Sequence, residues 1–143
     1  AIKAVNYKTE AFETLLADAS NEHGMDVILD MVGGDYVQKD IKLAAADGRI
    51  VFIAFQAGFN AELNFLPVLM KRLTLTASTL RAQSAEQKAK MATEIEEQVL
   101  PLYSKGAIKP VIDQVFPFED IAAAHARMES GAHIGKLLLR LPE

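Results

Sequence analysis

The stretch Met25, Asp26, Val27, Ile28, Leu29, Asp30, Met31, Val32, Gly33, Gly34 is a short apolar run closed by an acid and two glycines, and it constrains the fold more than any other part of the chain. A run of this length suits a buried strand or part of a buried helix. The β-branched Val27 and Ile28, with Gly24 before and the glycine pair after, favour the strand. Polar residues do not alternate through it, so both faces should be covered, as in a parallel strand flanked by helices. Its carboxyl end, residues 30–34, would lie where open α/β sheets take their ligands. A second run, Arg49, Ile50, Val51, Phe52, Ile53, Ala54, Phe55, follows one helix length later and reads the same way. Two buried strands joined by a helix make the minimal crossover unit of a parallel sheet.

The 143 residues, half of them hydrophobic, suffice for a domain-sized core that removes roughly 70% of the unfolded surface from water. A net charge of -4, with both signs spread along the chain, argues against a nucleic-acid footprint. No apolar run reaches the roughly 20 residues of a membrane-spanning helix. The absence of Cys removes disulfides, thiolate metal sites and Cys nucleophiles, and fits a cytoplasmic protein. The chain starts without Met, at Ala1, directly in strand-like residues, from which we expect a piece of a longer protein.

In chain order, residues 2–6 suggest a short strand, followed by a helix from an N-cap at Thr9 with Phe12, Leu15, Leu16 and Ala19 at helical spacing. Asp35 is placed to cap a second helix carrying Tyr36, Val37, Ile41, Leu43, Ala44 and Ala45, closed by Asp47 and Gly48. Asn64 precedes a short helix in which Pro67 is tolerated in the first turn. Leu73, Leu75 and Ala77 then alternate with Thr74, Thr76 and Ser78, the pattern of a strand over residues 73–78 near a sheet edge. Ser84 and Gln87 form a capping-box pattern at the start of the longest helix, which Pro101 should kink or divide. A strand over residues 111–116, a helix over residues 118–130 and a last strand over residues 136–141 complete the chain.

No local motif assigns chemistry. His23, His125 and His133 fall on separate elements without a second ligand at metal spacing. There is no Gly-x-Ser-x-Gly elbow, no Gly-x-Gly-x-x-Gly and no Walker pattern. The Gly33, Gly34 pair suits either a turn or a close approach of backbone to a nucleotide.

Taken as an ordered series, however, Ala4-Val5-Asn6-Tyr7-Lys8, Val27-Ile28-Leu29-Asp30-Met31-Val32-Gly33-Gly34, Asp47-Gly48-Arg49-Ile50-Val51, Leu100-Pro101 and His133-Ile134-Gly135-Lys136-Leu137 are informative. The series resembles the C-terminal portion of the zinc-free quinone oxidoreductase branch of the medium-chain dehydrogenase/reductases, over essentially the whole chain. The resemblance implies an α/β fold. Residues 1–82 would be the C-terminal part of an incomplete Rossmann-type, doubly wound parallel sheet. Residues 83–143 would be a long helix and a C-terminal segment that returns to a GroES-like catalytic domain absent from this sequence. In the strand order 3-2-1-4-5-6, residues 2–6 would be strand three and Val27 to Asp30 strand four, with strands one and two not in the chain.

The same resemblance implies an NADPH cofactor, with NADH as the alternative, and hydride transfer to a quinone or a related enone or carbonyl acceptor. Tyr7 would stand beside the adenosine with Lys8 adding charge, and Val32 would follow the central strand past the cofactor. Ile53, Ala54, Phe55 and Gln56 would lie along the nicotinamide, with Ala54 where relatives often carry Gly. Ser78, Thr79 and Leu80 would sit near the carboxamide, with Arg81 at the substrate opening, and His133 would reach the cofactor from the C-terminal segment. The glycine-rich turn that holds the pyrophosphate is not in this sequence. The chain would thus supply the far wall of the site, include no general acid and be inactive alone. Two rival readings accompany this one: an interaction module that forms a homodimer through the edge strand at residues 73–78, and an enoyl-reductase piece of a larger synthase.

Overall fold

In the computed structural model, which describes residues 1 and 3–142, the central run forms β1 (Met25–Asp30) and the second run forms β2 (Ala44–Phe52). They pair in parallel, with Ile28 beside Ile50 and Leu29 beside Val51. A third strand, β3 (Thr74–Ala77), pairs in parallel with β2, with Ile50 beside Leu75. The order β1-β2-β3 follows the chain, as three consecutive strands of one half of a doubly wound sheet do. These strands and helices α1 (Phe12–Ala19), α2 (Tyr36–Leu43) and α3 (Leu66–Lys71) lie in the first of two units, Ala1–Gln83.

Helix α2 sets Val37 and Ile41, four residues apart, on one face, where they meet Ala44 and Ile50 in the core. Ile41 and Ile50 are completely buried, each burial stabilising by roughly 2 kcal/mol. Partly buried Ile28, Phe52, Leu63, Val68 and Leu73 pack around them. Helix α1 is held to α2 by stacked rings of Phe12 and Tyr36, 5.5 Å apart, beneath the Lys39 ammonium. At the other end of the sheet, the exposed Arg72 forks onto Asp47 at 2.7 and 2.6 Å, tying the end of α3 to β2.

The second unit, Ser84–Glu143, opens with α4 (Ala85–Gln98) under the capping box that Ser84 and Gln87 predict. Pro101 divides the helical run: α4 ends at Gln98, and α5 (Leu100–Ser104) takes the proline in its first turn, where its missing N–H costs no helical bond. Strands β4 (Ile112–Pro117) and β5 (Lys136–Arg140) pair in parallel. A 3₁₀ turn, Phe118–Asp120, and α6 (Ile121–Glu129) make the crossover between them. Arg127 on α6 clamps Asp113 with two 3.1 Å bonds, and Asp113 also accepts the Ile134 N–H at 3.1 Å. That clamp fixes the loop before β5. No helix among the described residues is long and apolar enough to cross a membrane.

Several local expectations are corrected. Residues 3–6 form no strand, and Ile2 lies outside the described residues. The segment instead folds into a turn in which Asn6 O accepts from the Thr9 and Glu10 N–H groups, and α1 starts after Ala11 without a side-chain cap. A strand needs a ladder, and among the described residues β1 pairs only with β2. Asp35 makes no capping bond either. Ala44 and Ala45 leave the helix for β2, because the extended Ala44 pairs with Met25, and an irregularity in register takes up the extra residues before Arg49 meets Val27. Finally, β1 is not covered on both faces. Val27 and Leu29 remain 67% and 61% exposed, while Ile28 and Asp30 face the core side.

Candidate functional site

Parallel strands bring their carboxyl ends to one rim, and here the first two connecting loops are zipped together by backbone bonds. Ile53 N donates to Asp30 O at 2.8 Å, Gln56 N to Met31 O at 3.2 Å, Ala57 N to Val32 O at 2.8 Å and Gly34 N to Gly58 O at 3.2 Å. From β3, Ser78 N donates to Phe52 O at 2.9 Å. The glycine pair is explained by this closure. Gly33 has φ +65°, and a Cβ there would come within 2.5 Å of the Phe55 ring and 3.1 Å of Gly58 O. Its immediate role is to let one loop lie on the other.

Asp30 organises the turn from below. Its Oδ1 accepts the Val32 N–H at 2.6 Å and the Gly33 N–H at 3.1 Å, and its Oδ2 also accepts from Gly33 at 3.1 Å. Charge-assisted bonds of this kind are the strong ones, and they fix the course of the chain where β1 ends. On α2, Asp40 faces Asp30; both residues are 5% exposed. Burial first, then the charge of Asp30 and a hydrogen bond between the two carboxyls, push the Asp40 carboxyl up to about 7.

A cavity of about 630 Å³ opens beside this turn, and Tyr7, Val32 and Gln56 line it together with Leu29, Asp30 and Asp40. Three of the ten expected cofactor residues thus share one wall. Ile53, Ala54 and Phe55 lie in the zipped loop. Phe55 stacks on Phe52 at 5.4 Å, meets Phe59 edge-on at 6.0 Å, and borders a separate depression of about 330 Å³ with Gly34. Ser78, Thr79 and Leu80 are exposed and directly follow β3 at the same rim. His133 belongs to the second unit, half-buried just before the Ile134 amide that Asp113 holds, and its Nδ1 is buried without a hydrogen-bond partner. Another hollow of about 490 Å³, lined by Gly24, Ala44 and Ala45, lies at the amino ends of the strands. The 630 Å³ cavity runs along the whole of β1, from Met25 to Val32, and its end at Asp30, Met31, Val32 and Gln56 reaches the carboxyl rim where open α/β sheets bind ligands, so that end is the candidate. The sequence reading missed Asp40. Its signal was an acid on the apolar face of α2, between Val37 and Ile41.

Residues 1–139 match the family model described as zinc-binding dehydrogenase. The chain belongs to this family. It is 25% identical to the quinone oxidoreductase of Rattus norvegicus, over 95% of this chain and 40% of that protein. It is 27% identical to the highly reducing polyketide synthase easB of Emericella nidulans, over 95% of this chain and 5% of that protein. Among solved structures, an NAD-dependent alcohol dehydrogenase is similar at 26% identity and a TM-score of 0.74, with 96% of this chain and 37% of that one covered. The chain therefore spans well under half the length of these dehydrogenase-family relatives, and the α/β arrangement corresponds to the Rossmann-like cofactor-binding half of such enzymes. There is no Cys, and no group of three metal-ligating side chains occurs among the described residues.

Proposed function

We propose that the chain forms the nicotinamide-side wall of an NAD(P)H site in an oxidoreductase that passes hydride to a quinone or a related enone or carbonyl acceptor. The observation that carries this reading is the junction of Tyr7, Val32 and Gln56 on one cavity that follows β1 to the carboxyl rim of a parallel sheet, in a member of a dehydrogenase family. The cofactor, NADPH with NADH as the alternative, supplies the hydride chemistry. The chain's own residues bind, orient and exclude water. Tyr7 offers an exposed ring for the adenosine, and Lys8 a neighbouring charge. The Val32 backbone and the loop of Ile53, Ala54, Phe55 and Gln56 flank the nicotinamide half, and Ser78, Thr79 and Leu80 approach its carboxamide. His133, in the second unit, is proposed as a cofactor contact on the family resemblance alone. No general acid is assigned within these 143 residues.

Saturation-transfer NMR on the chain with millimolar NADPH, and separately NADH, tests the binding. Magnetisation should reach the nicotinamide protons as well as the adenine protons; no transfer from either dinucleotide would contradict the site. The sequence contains no glycine-rich pyrophosphate turn, so the chain alone should show no NAD(P)H oxidation with a quinone, and robust turnover would refute that. A second reading, an enoyl-reductase segment of a larger synthase, is supported by the polyketide synthase relative. In an active protein containing this chain, preference for an enoyl thioester over a quinone would favour it.

A further inference from the structure

Asp30 and Asp40 come from different elements, β1 and α2, and meet below the turn that borders the 630 Å³ cavity. Each is 5% exposed, and their carboxyl groups are within hydrogen-bonding reach. Asp30 uses both oxygens to accept the Val32 and Gly33 amides. Asp40 Oδ2 is buried with no partner. Two carboxylates cannot hydrogen-bond to each other without a proton between them, and a charged Asp40 would leave a buried anion unsatisfied beside a like charge. A proton held between the two carboxyls removes both costs.

We propose that Asp40, as a neutral carboxylic acid donating to Asp30, is a positioning residue that sets the Val32 and Gly33 turn against the dinucleotide. The proposal rests on the cofactor reading above and adds a residue which that reading does not contain. Other charged or titratable groups stand on the elements packed around α2: Glu13 and Asp18 on α1, Asp26 on β1, Asp47 and Arg49 on β2, and Lys71 on α3. Glu13 pairs with Lys39, Asp26 with His23 and Asp47 with Arg72, and Lys71 donates to backbone carbonyls of Ile41, Lys42 and Ala44. Lys3 and Tyr7 line the same cavity. Burial first, and then the neighbouring Asp30, raise the Asp40 carboxyl. As pH rises through neutrality Asp40 loses its proton, the donor to Asp30 disappears, and two like charges face each other under the turn.

The test is a titration of the chain from pH 5 to 9, labelled with 13C at the Asp carboxyl carbons and with 15N in the backbone. The Asp40 carboxyl should titrate near neutral pH, and the Val32 and Gly33 amides should shift with the same midpoint. Asp40→Asn, whose amide N–H₂ can donate at every pH, should hold both amides at their low-pH positions through pH 9. Asp40→Ala should displace them at every pH. An Asp40 titration in the ordinary carboxylate range, or amides with no near-neutral midpoint, would overturn the proposal. These wild-type readouts decide even where a variant does not fold, and they need no cofactor. With NADPH added, affinity should fall at least threefold between pH 6 and 8.5 in the wild type and stay level in Asp40→Asn. If the amides follow Asp40 but NADPH binds at neither pH, the pairing stands and the cofactor reading fails.

Discussion

Asp40 ties stability to pH in the direction opposite to most acids. Its folded-state carboxyl sits at about 7, above the unfolded value of 3.8. Between those values the folded chain holds the extra proton, so stability falls as pH rises from about 4 to about 7 and is level above that. Asp113 and Asp47 run the other way. Hydrogen bonds from Arg127 and Arg72 respectively hold them below the usual carboxylate range, and what they contribute is lost as pH drops below about 4. Asp40→Asn should therefore be more stable than the wild type at pH 8, by on the order of 2–4 kcal/mol, and flatten the profile between pH 4 and 7. Urea unfolding at pH 5 and 8 checks this; an undiminished fall in the variant would contradict it. Gly33→Ala should cost about 1–3 kcal/mol in the same experiment, since it combines a left-handed backbone with a clash on Phe55. The sequence reading of Gly33 left turn and nucleotide approach open, and only the neighbouring loop shows the immediate need. Asp40 was visible as an acid on an apolar face, but its partner is ten residues away on another element, and local pattern carries no information about that meeting.

At the scale of elements, β3 is one of the two end strands of the three-stranded sheet, opposite β1. Ser78 N donates to Phe52 O, so by the period of two the Thr76 and Thr74 amides also point to β2, and those of Leu75 and Ala77 point outward. If the strand pairs two copies of the chain, Ala77→Pro should separate them while keeping the fold, whereas Thr76→Pro should weaken the sheet itself. Light scattering distinguishes the two, and an unchanged mass for a folded Ala77→Pro dimer would reject pairing through this edge. In the second unit, Asp113→Ala should release the Ile134 amide and speed its hydrogen exchange about tenfold or more, with unchanged exchange contradicting the clamp. Elements were legible where local chemistry dictates them: the Ser84 capping box, the division at Pro101 and the alternating β3 all follow from residues within a turn or two. Ala44 and Ala45 were read as helix because Asp47 and Gly48 look like its terminator, and pairing of Ala44 with Met25 of β1 draws them into a strand instead. Coverage of Val27 and Leu29 could not be read locally, because their lack of polar alternation says nothing of which neighbours are present.

For the whole molecule, the parallel α/β class was readable from two apolar runs one helix apart, and the family from an ordered series of motifs that are each weak alone. The site was legible only through that series. Tyr7, Val32 and Gln56 carry no signature of their own, and it is the parallel sheet that collects them on one cavity. In the proposed site the cavity lined by Tyr7, Val32 and Gln56 takes the dinucleotide, and a map of backbone amide shifts on titrating the chain with NADPH tests this. Shifts centred on Tyr7, Val32, Ile53 to Gln56 and Ser78 to Leu80 are the expected result. Shifts centred on Gly24, Ala44 and Ala45 at the opposite end of the sheet, or none at saturating cofactor, would contradict it.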